Sequence, residues 1–419
     1  MTTFVDTFPP AAGTPAAGQA TFGPDHNLNS QTFQGGSPNN PPNFAPNIST
    51  DGTTNTIDFD FGTFDAAPPS ATVVVDVLFT VALLDKPFGD GLFLTNQSVS
   101  TFGNTSGTTV SNTEIVQIVL NQPDLTLSKG VVASSNTDAM FDADVGPVTF
   151  NAPGSSNPFS GVISASSLGT TPVDANLVSG FDAGDIVTFA LVVQNTGGAA
   201  AFDVLLRDTM ASGFQTPGTA SGLNLQVRTG DAAATAVGFT TVGGGFFSAV
   251  AGDGIRINDD ADGILAGRNG GAGSDVLIIT YDLEATAGIN PTTLHENTAL
   301  LEAFGAREGG TDFTDGFDDP KYTDTATALV DAPAIAKSIL ETDQTFTDGT
   351  DVAIGEVVTY ELLVTLPEGE IDDLVVTDLI PAGLSYVAAS AQLITTDRKS
   401  TRLNSRHAQI LSADFSFIK

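Results

Sequence analysis

The chain has 419 residues, with 49 acidic against 14 basic side chains, a formal net charge of −35, and no cysteine or tryptophan. Such a charge repels nucleic acid and anionic membranes, and the missing thiols exclude disulfides, zinc-thiolate sites and cysteine nucleophiles. Disorder, the other reading of high charge, fails because hydrophobic residues make up 41% and fall in strand-like runs.

Met1 is followed by neither a basic nor an apolar leader, which reads either as a cytoplasmic protein or, preferably, as a chain that starts mid-protein with its signal lost. Residues 1–50, rich in Pro, Asn and Gly, are expected to be mostly irregular, with part belonging to a truncated β-repeat. The longest apolar stretch, Thr72–Leu84, contains Asp76 and is too short to span a bilayer. Strands are predicted at 72–79, 186–193, 204–207, 276–283, 357–364 and 374–377, where Val, Ile, Thr and Phe are bounded by Gly, Asn, Asp and Pro. Asp138–Ser179, rich in Ser, Gly and Pro, reads as an insertion. Almost nothing is helical. At the far end, Asp397–His407 (DRKSTRLNSRH) matches the translation of a short-read sequencing adapter at every position but Arg406. Residues 397–419 are therefore expected to be foreign to the natural protein. They hold five of the basic and two of the acidic residues, so the remainder carries a net charge of −38.

Internal repetition organises the rest. Asp124–Val131 parallels Pro333–Leu340, and Ala183–Phe214 parallels Ile354–Val387. Leu94–Gly103 with the stretch to Lys129 parallels His295–Gly305 with the stretch to Lys337. The chain is thus expected to be all-β, a tandem of Ig-like β-sandwich repeats with the first and last incomplete. The predicted units are the back of a repeat at 1–121, a whole repeat at 122–331 and the front of another at 332–396.

The residues of these repeats resemble a bacterial and archaeal cell-surface conserved-repeat family, related to isopeptide-forming fimbrial domains. Its pattern falls on Lys129, Gly184-Asp185, Val187-Thr188-Phe189, Val193, Asn195, Gly197 and Asp208, and again on Lys337, Gly355-Glu356, Val358-Thr359-Tyr360, Asp378, Pro381, Gly383, Leu384 and Tyr386. The first copy lacks the Pro after Asp208, and the second replaces Asn-x-Gly by Leu-Pro-Glu-Gly. The resemblance covers roughly 122–390. It implies an extracellular, non-enzymatic structural or adhesive segment of a larger secreted surface protein. The partners implied are neighbouring repeats of the same chain and a host, cell-wall or glycan ligand.

Strand parity singles out Lys129. Leu125, Leu127 and Lys129 share one face, and a lysine on an apolar face is costly unless paired or neutralised. Desolvation lowers its pKa and makes the amine a nucleophile. The resemblance assigns it Asn297 as partner for an autocatalytic isopeptide bond and Asp208 as the helping carboxylate. Two plainer readings stand beside this one: Lys129 snorkels at a strand end, and Asp208 caps the turn after its strand.

Asn258, Asp260 and Asp262, in INDDADG, fit the start of a calcium loop. Position 12 is Asn269 rather than Glu, so an EF-hand is excluded and a calcium-holding turn, or a plain solvated acidic loop, is expected. A second acidic group comprises Asp312, Asp315, Asp318 and Asp319. Enzyme signatures are missing: only His26 and His295 precede the tail, and there is no Gly-x-Ser-x-Gly, P-loop or His-Glu-x-x-His. The alternative function is a carbohydrate- or calcium-binding accessory module of a large extracellular enzyme.

Overall fold

The computed structural model describes residues 2–7, 47–53, 56–60, 81, 83–103, 107–268, 272–314, 320–347, 350–369, 374–394 and 414–417. Its architecture is all-β, in sandwich-like packed sheets. The strand expected at 72–79, and Asn269, Asp315, Asp318 and Asp319, lie outside the described residues.

The N-terminal region forms a five-stranded antiparallel sheet, in the order Asn47–Asp51, Thr56–Asp60, Thr2–Thr7, Phe93–Gly103, Thr109–Val119. Ile57, Phe59 and Leu94 are buried on it, whereas every residue of Thr109–Val119 is exposed. Two of these strands, Thr2–Thr7 and Asn47–Asp51, draw on residues 1–50.

The central region is the sandwich that positions the site. One sheet holds β1 (Leu125–Ser134), β2 (Ile186–Asn195) and β5 (Val276–Ala285), with β2 antiparallel between the other two. The facing sheet holds β3 (Phe202–Thr209), β4 (Gly254–Ile257), β6 (Leu294–Gly305) and β7 (Thr323–Leu329), in the order β4-β3-β6-β7. Period-2 alternation places Leu125, Leu127 and Val131 of β1, Val187 to Val193 of β2 at every second position, Val204 and Leu206 of β3, and Ala299 and Leu301 of β6 in one core.

The predicted insertion packs on the outer face of the first sheet. There Phe159, Ile163, Leu168 and Val173 cover Val132, Ala190, Val192, Val276 and Ile278 in a second core. This explains why β2 and β5 read as continuous apolar runs rather than alternating ones. Met140–Phe141 and Leu177–Ser179, at the ends of the insertion, extend the second sheet beyond β7.

The Asn-x-Gly turn after β2 ties the sheets together. The Asn195 side chain accepts from the backbone N–H of Asp124 and Gly197 and donates to the carbonyls of Ala199 and Ala266. Gly197 is required by close approach, since a Cβ there would lie 2.1 Å from the Gln122 carbonyl oxygen.

Beyond the sandwich, β8 (Ala334–Thr342) and β9 (Val358–Thr365) pair antiparallel, and β10 (Val375–Asp378) follows. Ile335, Leu340, Leu363, Val375 and Leu379 are all exposed, so among the described residues these strands enclose no core.

Candidate functional site

Four side chains meet in the centre of the sandwich, two from each sheet. Lys129 comes from β1 and Tyr281 from β5; Asp208 comes from β3 and Asn297 from β6. Asp208 lies opposite Ala299 in the β3–β6 register, so Asn297 is its diagonal neighbour on the same inner face.

Lys129 is 1% exposed and the other three are fully enclosed. The Lys129 ammonium donates to Asp208 Oδ2 at 2.6 Å and to Asn297 Oδ1 at 2.8 Å. The Tyr281 hydroxyl donates to the same Asp208 oxygen at 2.7 Å and accepts from Asn297 Nδ2 at 2.9 Å. Aromatic rings wall the group in. Phe189 and Tyr281 stack at 5.5 Å between centroids, and their rings lie 5.4 and 5.6 Å from the Lys129 nitrogen. Phe246 and Phe247 meet Tyr281 edge to face.

Burial sets the electrostatics. It lowers the Lys129 pKa from its ordinary value of 10.5 to about 8, against the opposing pull of the Asp208 charge. Burial likewise raises the Asp208 pKa, although Lys129 and Tyr281 stabilise its anion. Both shifts favour the neutral amine and the neutral acid over the ion pair. Burial also raises the Tyr281 pKa well above 10, with the adjacent Asp208 charge acting in the same direction.

The structure thus brings Lys129, Asp208 and Asn297 together. Snorkelling is ruled out for Lys129, whose side chain has no exposure, and Asp208 faces inward between Lys129 and Tyr281 rather than capping a turn. Tyr281 was missed by the reading of the sequence. The available signal was its parity with Leu277, Ile279 and Leu283, which puts a phenol on an apolar face where its hydroxyl needs a buried partner.

The acidic turn after β4 is differently built. Asn258 accepts from the Thr240 hydroxyl, Asp260 accepts from the Asp262 backbone, and Asp259 accepts from the Asp203 backbone. Asp312 accepts from the Thr314 hydroxyl and backbone. Among the described residues, no three His, Asp or Glu are grouped to hold a metal ion.

No family model matches the chain, and no curated protein matches it. Among solved structures it is similar to the full-length major pilin RrgB of Streptococcus pneumoniae, at 12% identity and a TM-score of 0.24, covering 72% of this chain and 42% of the pilin. It is also similar to the T6 backbone pilin of serotype M6 Streptococcus pyogenes, at 9% identity and a TM-score of 0.26, covering 88% of this chain and 72% of the pilin. The chain thus spans less than half of the first of these proteins. At these scores the likeness adds nothing to the fold described above. Among the described residues, no helix is long and apolar enough to cross a membrane.

Proposed function

We propose that the central sandwich crosslinks itself, joining Lys129 to Asn297 through an isopeptide bond, and that the chain is a non-enzymatic structural segment of a cell-surface protein. The observation that carries this reading is the Lys129 nitrogen, buried, 2.6 Å from a carboxylate oxygen and 2.8 Å from a carboxamide oxygen. With a C=O bond of about 1.23 Å, the carbonyl carbon of Asn297 is no more than about 4 Å from that nitrogen, close to attack distance.

Lys129 first gives one proton to Asp208, a transfer that burial favours from both sides. The lone pair of Nζ then attacks Cγ of Asn297, and the Cγ–Nδ2 bond breaks. Nζ loses two of its three protons and remains as a secondary amide. Nδ2 gains one and leaves as ammonia, while the other proton ends on Asp208. No external reagent is consumed. Aromatic walls exclude the water that would otherwise solvate the ammonium and silence the nucleophile.

The bond would tie the first strand of the sandwich to a late strand in the opposite sheet. A chain without cysteine has no disulfide to do this, and a segment that spaces or projects others outside the cell benefits from a staple that cannot be reduced. The sequence resemblance to surface repeats supports the extracellular setting. The partners proposed are neighbouring repeats of the same chain.

Intact mass of the full chain tests the reading. The expected mass is one ammonia below that of the sequence, returning to the full value in Lys129→Arg. An unshifted mass overturns it.

A further inference from the structure

Amide exchange has a leaving-group problem that Lys129, Asp208 and Asn297 do not solve among themselves. The departing nitrogen cannot leave as an anion, so a proton must reach Nδ2 as the bond breaks. Lys129 engages the opposite end of the carboxamide, at Oδ1. Among the described residues, no carboxylate hydrogen-bonds to Nδ2; its partner is the Tyr281 hydroxyl, at 2.9 Å.

We infer that Tyr281 is a catalytic residue of the crosslinking reaction, the relay that carries a proton from Asp208 to the departing nitrogen of Asn297. This rests on the crosslink proposed above. A single oxygen, Asp208 Oδ2, touches both Lys129 Nζ and the Tyr281 hydroxyl, at 2.6 and 2.7 Å. The four atoms Nζ, Oδ2, the phenolic oxygen and Nδ2 form an unbroken hydrogen-bonded chain from nucleophile to leaving group. Before attack, the phenol donates to Asp208 and accepts from the planar amide. Once Cγ is tetrahedral, Nδ2 is a basic amine and both hydrogen bonds reverse. The phenol gives its proton to Nδ2 and takes one from the Asp208 carboxyl, and ammonia leaves. As the carbonyl re-forms, Nζ gives its second proton to Asp208 Oδ2, 2.6 Å away, and remains as the amide nitrogen. The phenol ends as it began.

The surroundings suit a relay rather than a permanent acid. The ring packs against Phe189, Phe246 and Phe247, and its buried hydroxyl has Asp208 and Asn297 as hydrogen-bond partners. A phenol held protonated by burial and by the neighbouring carboxylate passes a proton on only as it receives another.

The test is a time course of ammonia loss, read by intact mass, in full chain made by cell-free translation. Tyr281→Phe keeps the ring and removes the relay, and should slow formation about 100-fold, in the range for general acid catalysis. Equal rates in wild type and Tyr281→Phe overturn the relay while leaving the crosslink intact. A wild-type mass that never falls overturns both. Comparing Asn297→Ala with Asn297→Ala/Tyr281→Phe in urea shows whether the Phe variant folds. If it does not, uniform fluorotyrosine replaces it. That substitution preserves the packing and shifts the phenol's acidity, so an unchanged rate overturns the relay and a changed rate supports it.

Discussion

Lys129 and Lys337 occupy the same place in two copies of one pattern, yet they sit in different chemistry. Each pairs with the Asp at the matching position, Lys129 with Asp208 at 2.6 Å and Lys337 with Asp378 at 2.7 Å. Each also lies near an aromatic ring of the second strand, Phe189 or Tyr360. The side chains of the first pair have no exposure, whereas those of the second are 39% and 19% exposed. In the central sandwich, β5 and β6 lie over or beside the pair and supply Tyr281 and Asn297. In the last segment β8 pairs with β9 and β10 pairs with Asp414–Phe417, and among the described residues the Lys337 ammonium hydrogen-bonds to Asp378. The same lysine and aspartate are thus a solvated salt bridge in one setting and a candidate nucleophile with its acid in the other. The covering strands make that difference.

The largest effect should come from removing the electrophile. Asn297→Ala prevents a crosslink that would close a loop between residues 168 apart. If chain-entropy reasoning for disulfides carries over to this bond, the loss is about 5 kcal/mol of unfolding free energy. Urea denaturation of the full chain measures it. A loss below about 1 kcal/mol would show that the bond is either not formed or not a staple.

A second effect separates the two copies directly. In the Asn297→Ala background, Asp208→Ala strands a buried lysine and should cost a further 3–5 kcal/mol, about what breaking a buried pair costs. Asp378→Ala breaks a solvated pair and should cost about 0.2–1 kcal/mol. Similar losses at the two positions would refute the claim that burial sets them apart.

Parity carried much of this site. Lys129 was legible because Leu125 and Leu127 flank it at even spacing, and Asp208 because Val204 and Leu206 do the same. Asn297 was legible through resemblance. Its homologous position, Asn96, alternates with Ser98 and Ser100 and gives no sign of an inward amide. Tyr281 stayed hidden because a tyrosine in a β-strand is ordinary until its hydroxyl is seen to be enclosed. The strands of the central sandwich were placed within two residues at 186, 204, 276 and their ends, since β-branched runs between turn residues report local geometry. The second core was not legible. Phe159, Ile163, Leu168 and Val173 are scattered through polar sequence, and only long-range packing on β2 and β5 gathers them.

Protonation gives a smaller effect than the loss of Asn297 or Asp208, and the sharpest test of burial. In the uncrosslinked Asn297→Ala chain, Lys129 should hold its proton up to about pH 8 when folded and up to about 10.5 when unfolded. Between those values the unfolded chain binds the proton that the folded chain has released, so stability rises with pH across the window. The slope cannot exceed about 1.4 kcal/mol per pH unit for one proton. Asp208 acts with the opposite sign, because its raised pKa gives a contribution that is full below 3.8 and lost as pH climbs through the folded value. Tyr281 opposes the lysine above pH 10, where the unfolded phenol ionises and the buried one does not. Urea midpoints from pH 7.5 to 10 should therefore rise relative to those of Lys129→Met in the same background. A flat difference would mean that Lys129 keeps an ordinary affinity for its proton inside the sandwich. The neutral amine that attacks Asn297 would then be no more accessible than on an ordinary solvated lysine, and strand cover would not be what creates the nucleophile.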